Sequence, residues 1–490
     1  MSVLGLLMFG VVLALMILTG LPVYAVLLSV ASVFAVAGVL LGAFDAALLA
    51  VLPLRIIGLL EHDLLQALPL YAFIGALLNR LPLAALLLRS GERLFARSGG
   101  ATQLSALCVG ALLAPMNGSV GASLHTLSRS VVPALAARGV PAAEATATVC
   151  VASTLGVVVP PSLVLLLLGD AMMRAHTEAA NAMHAAVRIV NSQDVMRAAL
   201  VPGALVLVGA LLLAAWRARG RATRATAPLA PSEVATALLA ALLIGGLLAG
   251  VAVGRLYAVE AAATGAMLLL VYAAGTDRID RAVLHRVLHD TMTLTGLLFA
   301  LLVAATTFSM VLRGFGTDLL IGRTLGALAN RPLALLGVVL AGLVACSFVL
   351  DAFEITFLVV PLVMPPVLTA VSDPAWVAAL TLLVLQAGFL LPPFGFALLM
   401  ARTLMGGAVG LAALARALLP QLALQAALIV AVLLLPQITR WTRPVATVAT
   451  GSTAEDAARI ERAMQDAIDA QSRGRQAQEA LTDRASGTGH

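Results

Sequence analysis

Ala152-Ser153-Thr154-Leu155-Gly156-Val157-Val158-Val159-Pro160-Pro161-Ser162 and Gln386-Ala387-Gly388-Phe389-Leu390-Leu391-Pro392-Pro393-Phe394-Gly395 carry the decisive pattern of this sequence. Each is an apolar run broken at Gly-x-x-x-Pro-Pro, and Gly156 with Gly388, Pro160 with Pro392 and Pro161 with Pro393 share one offset, 232. Proline removes a backbone donor and ends a helix, so each Pro-Pro leaves carbonyls without intrahelical partners; glycine lets another backbone approach closely. A single break of this kind reads equally well as a packed proline kink, since both residues are common in membrane helices. Two breaks are harder to read that way, because each follows an irregular hairpin. Residues 104–116 and 122–136 are too short or too polar for confident crossings and meet at Asn117-Gly118-Ser119-Val120-Gly121, which predicts a re-entrant hairpin. Residues 333–371 break at 347–353, and Ser119 with Ser347 and Pro133 with Pro361 share an offset of 228.

The surroundings of these breaks are those of a membrane protein. Of 490 residues, 61% are hydrophobic and 11% charged, against about 25% charged in a soluble domain. Length alone would suit about three soluble domains, yet apolar runs long enough to cross a bilayer recur along most of the chain. All 30 basic residues are arginine. Without lysine there is neither a Walker A loop nor Schiff-base chemistry, so the chain is not itself a P-loop ATPase and no use of ATP is expected. Cys108, Cys150 and Cys346 sit at unrelated spacings in apolar surroundings and read as packing residues. A net charge of +6 with only 4% aromatics shows no basic, aromatic-interleaved stripe, which argues against nucleic acid and for arginines in cytoplasmic loops.

The predicted fold is an all-α polytopic bundle of inverted repeats, each a re-entrant hairpin plus a discontinuous helix. Residues 1–100 form N-terminal scaffold helices, with spans at 3–18, 23–41 and 64–78 and a cytoplasmic loop carrying Arg80, Arg89, Arg93 and Arg97. No basic region precedes the first span, so a cleaved signal peptide is not expected. Residues 101–169 hold the first hairpin and broken helix, 170–198 a polar periplasmic insert, and 199–332 central scaffold helices with spans at 200–216, 234–253, 257–274 and 292–312. Residues 333–405 hold the second hairpin and broken helix, 406–440 a C-terminal helix and 441–490 a polar tail. Arg217, Arg219, Arg221 and Arg224, then Arg278, Arg281 and Arg286, fall on the same face as the Arg80 loop. Five crossings lie between the hairpins, which places them on opposite faces.

Repeats with discontinuous helices are the sequence pointer to a secondary transporter, with ligands held where the breaks meet near the midplane. Half-helix N-termini face an anion, while freed carbonyls with short hydroxyl or amide side chains take a desolvated cation.

At these residues the chain resembles the large, DctM-type membrane subunit of tripartite ATP-independent periplasmic (TRAP) transporters. The matching pieces are Pro69-Leu70 with Phe73 and Gly75, Gly99-Gly100, the 117–123 tip, Gly139, the 152–156 run into Pro160-Pro161-Ser162, Asp351, Pro361 and Pro392-Pro393-Phe394-Gly395. They cover roughly residues 1 to 440. The resemblance implies a sodium-driven, elevator-type importer of organic acids, C4-dicarboxylates included, in the bacterial inner membrane. It implies three further partners besides the lipid bilayer: the organic acid, a periplasmic substrate-binding protein and a separate small DctQ-type membrane subunit. The family's first tip usually reads Ser-Gly-Ser-Ser and a small residue; here Asn117 can replace a serine ligand but Val120 cannot. The insert at 171–197 is longer than the family norm, and its Arg174, Arg188 and Arg197 are expected to meet acids on the binding protein.

On this reading no residue is catalytic. Substrate contacts fall to Asn117, Ser119, Ser123, Ser347 and Glu354. Co-transported sodium falls to Gly118, Ser119, Thr154 and Gly156 in the first half and to Ser347, Asp351, Gly388 and Pro392 in the second. Asp351 is the strongest of these, because an acid in an apolar hairpin costs at least about 2.5 kcal/mol unless solvated or paired. Glu354 shares its helical face. Capping of freed backbone is the alternative role for Asn117, Ser119 and Ser347, and helix–helix hydrogen bonding for Thr154 and its repeat mate Gln386. His285 and His289 have helical i, i+4 spacing but no metalloprotease order. A stand-alone sodium-dicarboxylate carrier is the rival within transport. A serine hydrolase using Ser119 and His125 is the rival outside it, although position 117 is asparagine where a nucleophile elbow needs glycine and no acid is placed to orient His125.

Overall fold

The structure, a computed structural model, describes residues 2–60, 63–183, 191–221, 229–276 and 279–442. Met1–Thr442 forms one compact unit. The tail expected at 441–490 lies outside the described residues save its first two, as do Arg188, Arg224 and Arg278.

The chain opens with α1 (Ser2–Thr19), α2 (Val23–Leu40), the short α3 (Ala47–Ala50), α4 (Leu52–Leu60), α5 (Ala67–Leu78) and α6 (Leu83–Leu94). The first irregular unit is α7 (Ala101–Leu113), a 3-10 turn Ala114–Asn117, α8 (Val120–Ala137), α9 (Ala142–Val158), a break, and α10 (Leu163–Met183). Then come α11 (Ser192–Arg217), α12 (Pro231–Val253), α13 (Ala258–Gly275), α14 (Arg281–Gly314) and α15 (Thr317–Gly326). The second unit is α16 (Pro332–Cys346), α17 (Ala352–Glu354), a π-helical turn Ile355–Val359, α18 (Val360–Ala370), α19 (Pro374–Leu390), a break, and α20 (Phe396–Leu404). α21 (Leu411–Leu434) closes the bundle. Among the described residues, eight helices are long and apolar enough to cross a membrane, or nine if α5 and α6, bent by 70° at their junction, count as one.

Both breaks fall at the Pro-Pro pairs, and both Pro-Pro bonds are cis. Helix α11 serves as a ruler for their orientation. Just beyond its end, Arg221 donates to Glu144 in the first turn of α9 (2.7 Å). Near its start, the Arg197 carbonyl accepts from Thr442 (2.5 Å), and Arg440 donates to Asp373, the N-cap of α19 (3.1 Å). Helices α9 and α19 therefore begin at opposite ends of the molecule.

The ion pairs also gather the arginine-rich segments. Arg80 meets Asp290 at 2.9 Å, Arg89 meets Glu233 at 2.8 Å and Arg138 meets Glu92 at 3.1 Å. With Arg221 and Glu144, these tie the α5–α6 corner to the starts of α9, α12 and α14, as the arginine count requires. Two stretches read from sequence as a loop and a polar insert contain helices. The Arg80 to Arg97 loop contains α6, whose buried Leu83, Ala84, Leu87 and Leu88 follow a helical period. The polar insert is α10 as far as Met183, burying Ala171, Met172, Ala175 and Ala179 while Arg174 pairs with Asp170. Alanines at i, i+4 and i+8, with Met172 beside them, suffice to dock such a helix, and hydropathy alone undervalues them.

Candidate functional site

The first hairpin tip is built by close backbone contact. Gly118 turns the chain at φ +71°, and Ser119 caps α8 by accepting the Ala122 N–H at 3.1 Å. A Cβ on Gly75 would lie 2.5 Å from the Asn117 carbonyl oxygen, and one on Gly156 would lie 2.6 Å from the carbonyl carbon and oxygen of Ala114. Helices α5 and α9 thus press bare backbone against the tip from two sides. Asn117, 2% exposed, donates through Nδ2 to Ser123 Oγ (3.1 Å), which donates to the Ser119 carbonyl (3.0 Å). Its Oδ1 is buried and makes no hydrogen bond among the described residues.

The second tip has the same outline and different chemistry. Asp351 caps α17 and Glu354 reaches back, Asp351 Oδ1 accepting from Glu354 N at 2.9 Å and Glu354 Oε2 from Asp351 N at 2.8 Å. This reciprocal capping box satisfies two otherwise orphan donors. Neither carboxylate has a cationic partner within 4 Å among the described residues. Ser347 Oγ donates to Val344 O (2.7 Å), and a Cβ on Gly388 would meet that hydroxyl at 2.4 Å. The break beside Gly388 thus rests on a side chain where the break beside Gly156 rests on backbone.

The tips share a cavity of about 410 Å³, walled by Ser119, Val120 and Gly121 from the first, by Asp351 and Glu354 from the second, and by Phe389 and Phe396 flanking the second Pro-Pro. The α8 N-terminus and two acids thus line one space. Among the described residues that line it, Asp351 and Glu354 carry the charge, and the remaining walls are largely apolar.

The expected site residues divide accordingly. Ser119, Asp351 and Glu354 come together. Asn117, Gly118 and Ser123 stand behind the first tip, and Ser347 meets Gly388 without lining the cavity. Thr154, fully buried, donates to Val151 O (3.0 Å) on its own helix. Its mate Gln386 is equally buried, with both amide atoms unpartnered among the described residues. Pro392 is half-buried at its break and is not among the described residues that line the cavity beside Asp351. The hydrolase pair is not assembled, since the Ser119 hydroxyl serves the helix cap and His125 is exposed. His285 and His289 are exposed at the arginine-rich end, and no group of three or more His, Cys, Asp or Glu side chains gathers among the described residues. Phe389 and Phe396 join the cavity wall although no charge or motif marks them in the sequence; their signal is an aromatic on each side of a break.

Two broken-helix units starting at opposite ends and closing on a shared cavity define a polytopic membrane protein of transporter architecture. The family model "Tripartite ATP-independent periplasmic transporter, DctM component" matches residues 10–438, and the chain belongs to that family. It is 24% identical over 385 residues to the C4-dicarboxylate TRAP transporter large permease protein DctM of Pseudomonas aeruginosa, covering 77% of this chain and 86% of that protein. Its fold is similar to that of the YdaH transporter of Alcanivorax borkumensis, with a TM-score of 0.60, 18% identity, and coverage of 81% of this chain and 89% of that one.

Proposed function

We propose that this permease subunit imports small organic acid anions of the C4-dicarboxylate class, driven by sodium, in the bacterial inner membrane. The observation that carries this reading is the polarity of the shared cavity. At the first tip, the 18-residue helix α8 begins with a neutral serine cap, so the positive end of its dipole faces the cavity unneutralised. That end suits a carboxylate. At the second tip, Asp351 and Glu354 offer oxygens to a cation. Sodium is cargo here, and oxygen donors suit it: the carbonyls at 114–117 beside Gly156, the free Asn117 Oδ1, Ser119 and Thr154 in the first half, and Ser347, Asp351 and the carbonyls around Gly388 and Pro392 in the second.

Because the two units begin at opposite ends, exchange of their roles would open the cavity alternately to each face, the logic of an inverted repeat. An elevator movement of the two units against the remaining helices is the form we favour. Substrate would arrive from a periplasmic binding protein, and a small DctQ-type subunit would complete the complex. Moving one net positive charge inward gains about 2.3 kcal/mol per 100 mV, so an importer of a dianion benefits only with more than two sodium ions. The test is uptake of succinate into proteoliposomes holding the chain, the small subunit and loaded binding protein. Uptake should require sodium and rise when valinomycin and potassium set an inside-negative potential. Equal uptake with choline in place of sodium would sink the reading.

A further inference from the structure

A second chamber of about 310 Å³ lies against three helical stretches that also help to wall the cavity between the tips. Leu301 of α14 lines the first cavity and Leu302 the second; Glu354 faces the first and Thr356, on the π-helical turn, the second; α10 contributes Val164 to one and Asp170, Arg174 and Glu178 to the other. The two spaces therefore follow one another along the bundle. The chamber is the one toward the ends of α10 and α14, opposite the arginine-rich end.

Its charges are unevenly used. Arg313 is consumed: both of its terminal nitrogens bind the Glu178 carboxylate, at 2.5 and 3.0 Å, and Nη2 also donates to the Pro361 carbonyl at 3.2 Å. Arg174 gives only Nε to Asp170, at 2.9 Å, and its Nη groups make no bond among the described residues. Arg55 of α4 reaches the chamber with no ion pair there among the described residues. Among the described residues that line it, three arginines face two acids, and two guanidinium forks have donors to spare. A guanidinium fork matches a carboxylate in two parallel hydrogen bonds. The chamber also falls within the usual range for small-ligand pockets, about 300–1,000 Å³.

We propose that this chamber is a carboxylate-binding antechamber, in which Arg55 and Arg174 hold the organic acid next to the cavity between the tips. The Arg313–Glu178 pair is its fixed wall. This rests on the reading of the chain as an organic acid importer, but its test needs neither transport nor a partner. Ser309 lines the chamber, and Ser309→Cys in the full chain in nanodiscs places a thiol there, with the parent chain controlling for its three native cysteines. The reagents are an anionic sulfonatoethyl and a cationic trimethylammonioethyl methanethiosulfonate, each rate normalised to that with free cysteine. The anionic reagent should react about tenfold faster than the cationic one. Arg55→Gln with Arg174→Gln should remove that preference, and millimolar succinate should slow the anionic reaction where sodium chloride of equal ionic strength does not. Equal rates, a preference that survives the double substitution, or equal protection by chloride would each overturn the proposal. So would failure of both reagents at Ser309→Cys and at Thr306→Cys, since the chamber would then be closed to anions.

Discussion

The two hairpin tips share a plan and differ in what fills it. At the first, backbone meets backbone: Gly75 against the Asn117 carbonyl, Gly156 against that of Ala114. The helix cap is a neutral hydroxyl. At the second, the break at Gly388 meets the Ser347 side chain, and the cap is a pair of acids. The difference teaches that similar architecture can be given opposite electrostatic ends. On the proposed reading, one tip keeps a bare helix dipole for an anion, and the other supplies carboxylates for a cation.

The packing half of this comparison predicts the largest effect. Gly156→Ala forces a methyl to within 2.6 Å of fixed backbone, and Gly75→Ala to within 2.5 Å. Overpacking of this kind costs about 1–3 kcal/mol, occasionally more. Both variants should lose uptake and unfold at clearly lower temperature, and no single side-chain deletion should restore either. Gly388→Ala should fail too, yet the clash there is with the Oγ and Cβ of Ser347, so Ser347→Gly in the same chain should restore stability. Thermal unfolding of the single and double variants decides this. Rescue of Gly156→Ala by a side-chain deletion would erase the distinction.

The electrostatic half turns on Asp351, whose carboxylate both caps α17 and faces the cavity. Asparagine caps about as well as aspartate but carries no charge. Asp351→Asn should therefore keep stability and raise the sodium concentration for half-maximal uptake several-fold. Asp351→Ala loses the cap as well, at about 1 kcal/mol, and should nearly abolish transport while the chain still folds. Sodium titration of uptake separates the roles. If Asp351→Ala keeps the parent's sodium dependence, the acid is a solvated cap and the second tip is not a cation site.

Much of this was legible in the sequence, for identifiable reasons. Gly-x-x-x-Pro-Pro ends a helix whatever surrounds it, so both breaks stand where the pattern put them. The arginine clusters had to share an end, and their ion pairs do. Helices α6 and α10 were harder to see, because their buried faces are narrow stripes of leucine or alanine beside charged residues. At the site, the acids at 351 and 354 announced themselves by being charged in an apolar hairpin. Their reciprocal capping was not foreseeable without backbone geometry. Nor was the meeting of Arg55 and Arg313 at one chamber, because they are 258 positions apart and only the packed helices bring them together.

The first tip allows a smaller, opposite test. Ser119→Asp keeps an N-cap acceptor but sets a negative charge at the mouth of α8, where a substrate carboxylate is proposed to bind. Half-saturating substrate should rise about tenfold, equivalent to about 1.4 kcal/mol, with the sodium requirement little changed. A shift in sodium dependence without one in substrate would reverse the assignment of the two tips.

Val120 predicts the least change. It occupies a position where the family's tip commonly has serine, and in this structure it lines the cavity beside Ser119 while remaining 7% exposed. If Ser119, Asn117 and nearby carbonyls already supply the first tip's oxygens, a further hydroxyl has no vacancy to fill. It would exchange an apolar wall contact for a polar one at the edge of a cavity, where water can satisfy it. Val120→Ser should then cost about 1 kcal/mol of stability, the centre of point-mutant effects, and leave sodium and substrate half-saturation within about twofold. A marked fall in the sodium requirement would mean that the first tip lacks an oxygen ligand as it stands, and that the cation preference is shared between the tips instead of resting mainly on Asp351.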